Sequence, residues 1–278
     1  MLTAARREFL EIATLPEERL DLAAAALLIA KEEYPGLDLP RYAARLDGLA
    51  ASVRPRTERF GGNPFAIIDA LNTCLFTEEG LRGNSEEYYD PRNSFLNEVM
   101  DRKCGIPISL SIIYMEVAAR IGFPIQGVGF PGHFLVRHAA EGRSILIDPF
   151  DRGRILLPED CRNHLRVSAG DSAPLQPGFF HPVGKKQILH RMLGNLRAIY
   201  MEREDYPRAM AVIERLDVLA PGDSVHLRDR GLIHLKESRF SSAAIDLRAY
   251  LLHDPAAPDA GAIRARLKSI GRLMALLN

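Results

Sequence analysis

Apolar residues at Leu20, Ala24, Leu27 and Ala30 recur at helical spacing until Pro35-Gly36 breaks the run. Tyr42, Leu46, Leu49, Ala50 and Val53 form a second stripe. Asn63-Pro64 then offers an N-cap followed by proline at the first helical position, opening Ile67, Ile68, Leu71 and Leu75. The pattern predicts about four helices before residue 104. Residues 78–93 carry Gly80, Gly83, Asn84, Pro91 and several acids without any period, and read as a surface loop. Phe95, Leu96 and Val99 suit a short helix, and Pro107 opens a longer one that runs to Arg120 and ends at Gly122 and Pro124. Ile108, Ile112, Met115 and Ala119 give that helix its buried face. From Ile125 the period becomes two, over residues 125–128, 133–138 and 144–148, which predicts a small antiparallel sheet. If His138 pairs with Arg143 across a four-residue loop, His133 stands opposite Asp148 on one face, with Cβ atoms roughly 5 Å apart. The same alternation sends His138 to the other face.

From about Gly184 the chain is helical again and matches itself at a shift of 34 residues: Leu193 with Leu227, Tyr206 with Phe240, Ala209 with Ala243, Pro221 with Pro255. Small alanines let two helices cross closely, the aromatic before them packs the turn, and the proline ends the second helix. These are tetratricopeptide-like features, present in two copies, with residues 258–277 as a capping helix. The expected organisation is therefore a mixed α+β domain over residues 1–175, then an all-α repeat region over 184–278. A concave face near Arg191, Ala198, Arg228 and Leu232 is the candidate groove for a peptide. Its alternative role is to dock the chain's own first domain.

Charge narrows the function classes. Lys plus Arg and Asp plus Glu both number 36, so no global field draws in nucleic acid or an anionic membrane. The longest apolar run, residues 22–30, falls short of the roughly 18 residues of a spanning helix. Acidic residues interrupt the N-terminal stretch, which lacks a secretory signal, and a cytoplasmic location is expected. The three cysteines, Cys74, Cys104 and Cys161, match no disulfide framework or zinc spacing and are expected as reduced thiols. No cofactor and no metal are expected.

The segments Asn93-Ser94-Phe95-Leu96, residues 105–111 (Gly-Ile-Pro-Ile-Ser-Leu-Ser), residues 127–137 around Pro131-Gly132-His133, and Ile147-Asp148-Pro149-Phe150 resemble the bacterial SirB-type family. Its members carry a transglutaminase-like domain followed by tetratricopeptide repeats. The resemblance implies a papain-like arrangement, with a cysteine at the start of a central helix, a histidine on one strand and an aspartate on the next. His133 and Asp148 match the last two. Aligning Gly122-Phe123-Pro124 with the usual Gly-Ile-Pro brings the nucleophile position onto Pro107, and proline is no nucleophile.

A triad needs a thiol at a helix N-terminus and a carboxylate that orients the imidazole. Cys104, three residues before Pro107, replaces the thiol only if its loop folds inward. Ser109 and Ser111 are weaker substitutes, since a hydroxyl there tends to bond the carbonyl one turn earlier. Cys74 sits in an apolar stripe and Cys161 follows Asp160 near a short helix, so neither is a catalytic candidate. The leading expectation is a non-catalytic protein that binds a protein or peptide partner. The alternative is a cysteine-protease-type hydrolase or acyl transferase using Cys104, His133 and Asp148. A third reading makes His133 and Asp148 a buried structural pair.

Overall fold

The computed structural model describes residues 3–58, 62–140, 143–170 and 173–277. Helix α1 (Ala4–Ala13) starts at Thr3, whose side chain accepts from the Arg6 N–H, and α2 (Leu22–Lys31) starts at Asp21, which accepts from Ala24. Helix α2 is apolar almost all round and is accordingly buried from Leu22 to Ala30 on most of its faces. Asp38 caps α3 (Leu39–Thr57), which buries the stripe Tyr42, Leu46, Ala50 and Val53. Asn63 caps α4 (Pro64–Asn72), with Pro64 in its first turn, and α4 runs on into a wider π-type turn over Thr73–Glu78.

The stretch read as a featureless loop holds structure. Strand β1 (Arg82–Gly83) pairs in parallel with β2 (Cys104–Gly105), and Pro91–Ser94 forms a 3-10 turn capped by Asp90. Two residues of strand carry no readable period, which is why the pattern missed them. Between the two strands runs α5 (Leu96–Arg102), ended by Lys103 in the left-handed region. Among the described residues before 104 there are thus four α-helices and, after the loop, the short helix α5 expected at Phe95, Leu96 and Val99.

Helix α6 (Pro107–Arg120) is the central element, buried at Pro107, Ile108, Leu110, Ile112, Ile113, Tyr114, Val117 and Ala118. It packs against α2, α3 and a four-stranded antiparallel sheet in sequential order: β3 (Gln126–Val128), β4 (Leu135–Ala140), β5 (Arg143–Asp148) and β6 (Arg154–Leu156). Strand β6, three residues long, shows no period in the sequence and is formed by its pairing with β5. The hairpin register also differs from expectation: Ala140 faces Arg143 and His138 faces Ile145. The displacement is by two residues, so every side chain keeps its predicted face. Helix α7 (Pro158–Ala169) lays Cys161 and Leu165 on a cluster that includes Val128, Phe130, Leu135 and Leu156.

The chain divides into two compact units, residues 1–195 and 196–278, within α8 (Lys185–Glu202). The second unit holds α9 (Tyr206–Leu219), α10 (Ser224–Lys236), α11 (Phe240–His253) and α12 (Ala260–Leu277). Tyr206 and Phe240, matched in the repeat, each open a helix, and Ala209 and Ala243 are each wholly buried. Glu204 and Ser238, also 34 apart, both take left-handed backbone in the turns before those helices. Among the described residues no helix is long and apolar enough to cross a membrane.

Candidate functional site

His133 stands in the turn ahead of β4, not opposite Asp148 in the ladder, whose last pair is Val136 with Ile147. The turn is built by Pro131 and by Gly132, with φ +68°, and closes through the His133 N–H donating to the Phe130 carbonyl at 3.1 Å. From there the ring still reaches the end of β5, where Nε2 lies 2.8 Å from Asp148 Oδ2. Asp148 is 1% exposed, and its other oxygen accepts from the Phe150 N–H at 2.9 Å, which fixes the carboxylate plane. The turn after Asp148 is pinned from the helical layer: Tyr114 donates to Asn72 Oδ1 at 3.2 Å, and Asn72 Nδ2 donates to the Gly153 carbonyl at 2.8 Å.

A third group joins the pair that sequence reasoning missed. His164, on α7, stacks on His133 with ring centroids 4.7 Å apart and planes 15° apart, and its Nε2 lies 3.8 Å from Asp148 Oδ2. Its position follows from a clamp four residues further on, where Ser168 donates to the Pro131 carbonyl at 3.1 Å. Residues four apart share a helix face, so holding Ser168 on the turn holds His164 over His133. Gly132 permits the contact, because a Cβ there would sit 2.3 Å from Ser168 Cβ. Burial, and the positive charge His133 would carry, push the His164 pKa below its ordinary value. The sequence signal was the polar line Asp160, His164, Ser168 beside the buried Cys161 and Leu165.

Around the three, the Phe150 ring meets His133 edge-on at 5.9 Å, and Tyr88 meets Phe150 edge-on at 6.2 Å. A cleft of about 430 Å³ opens on the other side, lined by His133, His164, Arg154, Asp160, Asn163 and Ser168 among others. Arg154 is paired with Asp160, whose second oxygen accepts from the Leu157 N–H.

The remaining candidates lie elsewhere. Cys104 is buried in β2, not in a loop, and Pro107 is buried at the first position of α6. Among the described residues the hydrogen-bond partner of the His133 ring is Asp148 and not a thiol. Ser109 donates to the Asn93 carbonyl at 2.7 Å and accepts from the Ile106 N–H, so its hydroxyl is committed locally. Ser111 is buried without a hydrogen-bond partner among the described residues. Burial raises the thiol pKa of Cys74 and of Cys161. His138 is bonded to the Pro124 carbonyl at 2.9 Å and stacked on Phe123, away from His133.

Of the four groove residues, Arg191 falls in the first unit. Its guanidinium donates to the carbonyls of Phe130 and His133 and lies 5.4 Å over the Phe134 ring. Ala198, Arg228 and Leu232 fall in the second. Ala198 is exposed, Arg228 pairs with Asp229 and Asp259, and Leu232 packs on the cluster of Ala243, Leu247 and Ile263.

Comparison with known proteins accounts for this architecture. A model of the transglutaminase-like superfamily matches residues 40–194, and a tetratricopeptide repeat model matches residues 196–268. A UPF0162 protein of Xylella fastidiosa is 39% identical over 259 residues, covering 92% of both chains. One from Vibrio cholerae is 29% identical over 206 residues, 74% of this chain and 76% of its own. F-box only protein 21 of Homo sapiens is 33% identical over 141 residues, 48% of this chain and 22% of the human protein. No solved structure matches the chain. A transglutaminase-like domain followed by tetratricopeptide repeats, with 39% identity over 92% of both chains to the Xylella relative, places the chain in the UPF0162 family.

Proposed function

We propose that this chain is a cytoplasmic, non-catalytic transglutaminase-like protein that binds a protein or peptide partner through its repeat region. The observation that carries the reading is the start of α6. The helix at whose N-terminus a papain-type thiol belongs opens on a buried proline, Pro107, and its nearest cysteine is buried in a neighbouring strand. A thiolate nucleophile needs an electropositive, partly open setting, and none of the three cysteines has an exposed side chain. Helical repeats present extended surfaces for partners, and the family match over residues 196–268 supports that use here.

The rival reading, an acyl-transfer enzyme, draws support from the His133–Asp148 hydrogen bond, the oriented imidazole that a triad requires. The two separate in one experiment. The full chain is used to capture partners, beside Ala198→Arg on the exposed repeat position and His133→Ala. The expected result is a partner kept by wild type and by His133→Ala and lost by Ala198→Arg. Hydrolysis of acyl substrates by wild type that disappears in His133→Ala would overturn the reading.

A further inference from the structure

His133, Asp148 and His164 come from three separate elements, yet one ligand atom of each lies within 4.8 Å of the other two. We infer that they form a binding site for one divalent transition-metal ion of the zinc class, with an open coordination position facing the cleft. The claim goes beyond partner binding and stands or falls independently of it.

The donor set is two imidazoles and one carboxylate, with no thiolate. Nitrogen donors favour zinc, cobalt, nickel or iron(II) over calcium and magnesium, which prefer all-oxygen cages. Three protein ligands with a fourth position left for water or substrate is the pattern of exchangeable zinc sites. The separations are near what such an ion needs. Bonds of roughly 2.0–2.1 Å in a tetrahedron put ligand atoms about 3.3 Å apart. Asp148 Oδ2 lies 2.8 Å from His133 Nε2 and 3.8 Å from His164 Nε2, so the two separations straddle that spacing. Because the rings are stacked within 15° of parallel, binding an ion requires one imidazole to turn out of the stack so that both in-plane lone pairs converge. The ion then takes the place of the proton between His133 and Asp148.

The surroundings fit a cation. Asp148 is buried and its second oxygen is held by the Phe150 N–H, so Oδ2 is presented in a fixed direction. Such outer-shell bonds orient metal-binding carboxylates. His164 is held by the Ser168 clamp on the Pro131 turn, so the two rings are brought together by tertiary structure and not by chance rotamers. Of the cations beside the site, Arg154 is paired with Asp160, and the Arg191 guanidinium is turned to the backbone carbonyls of Phe130 and His133. The Arg154 pairing, with the Leu157 N–H on the other oxygen, also keeps Asp160 out of the ligand set. On the open side the cleft of about 430 Å³ has room for a ligand larger than water.

The test uses the full chain titrated with Co²⁺ and with Zn²⁺ in competition with a chromogenic chelator. His164→Gln removes one donor from a partly exposed position where the fold tolerates the change, and the exposed His253→Gln controls for adventitious surface histidines. The expected result is one ion bound with an affinity that falls at least ~100-fold in His164→Gln, above the roughly 10–100-fold lost with an outer-shell partner. His253→Gln should bind as wild type does. The Co²⁺ complex should show tetrahedral d–d bands without a thiolate charge-transfer band, a reading that needs no variant. Absence of a bound ion, equal affinity in wild type and His164→Gln, or a thiolate band would overturn the site.

Discussion

Asp148 carries more of the site than any other residue. A carboxylate with 1% exposure is tolerated only because His133 and the Phe150 N–H satisfy it. Asp148→Ala should therefore cost about 3 kcal/mol of stability, read as a lowered denaturation midpoint in urea, by leaving both donors without their partner. A change under about 0.5 kcal/mol, the range of an ordinary surface substitution, would contradict that role. A titrating group sits in the repeat region. Burial first, then Arg239 and Arg230, hold the His234 imidazole below its ordinary pKa, against the opposing pull of Asp246 and Glu237. The folded chain then binds fewer protons than the unfolded one just below pH ~6.5, so His234 makes stability fall as pH drops through that window. His234→Gln should flatten the fall below about pH 6.5, measured by thermal denaturation at stepped pH. An unchanged slope would move the effect to another group. The meeting of His133 with Asp148 was expected from strand pairing, but it is made from the turn ahead of β4, where the ring reaches the end of β5. His164 was not expected, because its place depends on the Ser168 contact across 37 residues of sequence.

Helices with a clear stripe or cap announced themselves, as Asn63-Pro64 did for α4 and Pro107 did for α6. Helix α1, by contrast, gave no stripe of its own, and the twelve residues of α7 read only as a short helix. Strands β1, β2 and β6, of two or three residues, are too short for any period and exist through their partners. The turn between β5 and β6 shows how tightly such a short element is specified. Gly153 has φ +74°, and a Cβ there would lie 1.9 Å from Asn72 Oδ1, on the amide that pins this turn. Gly153→Ala should destabilise by about 1–3 kcal/mol, seen as a drop in melting temperature, and a neutral effect would mean that Asn72 does not hold the turn. In the repeats, the crossing of α10 and α11 depends on Gly231, where a Cβ would meet Leu247 side-chain atoms at 2.8 Å. Gly231→Val should cost about 1–3 kcal/mol by overpacking, checked by urea denaturation.

At the scale of the molecule, the repeat was readable because a shift of 34 residues superposes aromatic, alanine and proline positions that each do the same physical job twice. The α+β character of the first unit followed from the change of period after Pro124. The absence of a thiol at the start of α6 followed from Pro107, though its burial and that of Cys104 needed the structure. On this account the His–Asp pair of a triad survives without its thiol, and the chain works by binding. The rate of iodoacetamide labelling of Cys74, Cys104 and Cys161 at mildly acidic pH, in wild type and in His133→Ala, tests this most directly, since only an activated thiolate reacts quickly there. The account predicts slow labelling of all three, unchanged by the substitution. Fast labelling of Cys104 that disappears with His133 would contradict it and make the chain a thiol enzyme.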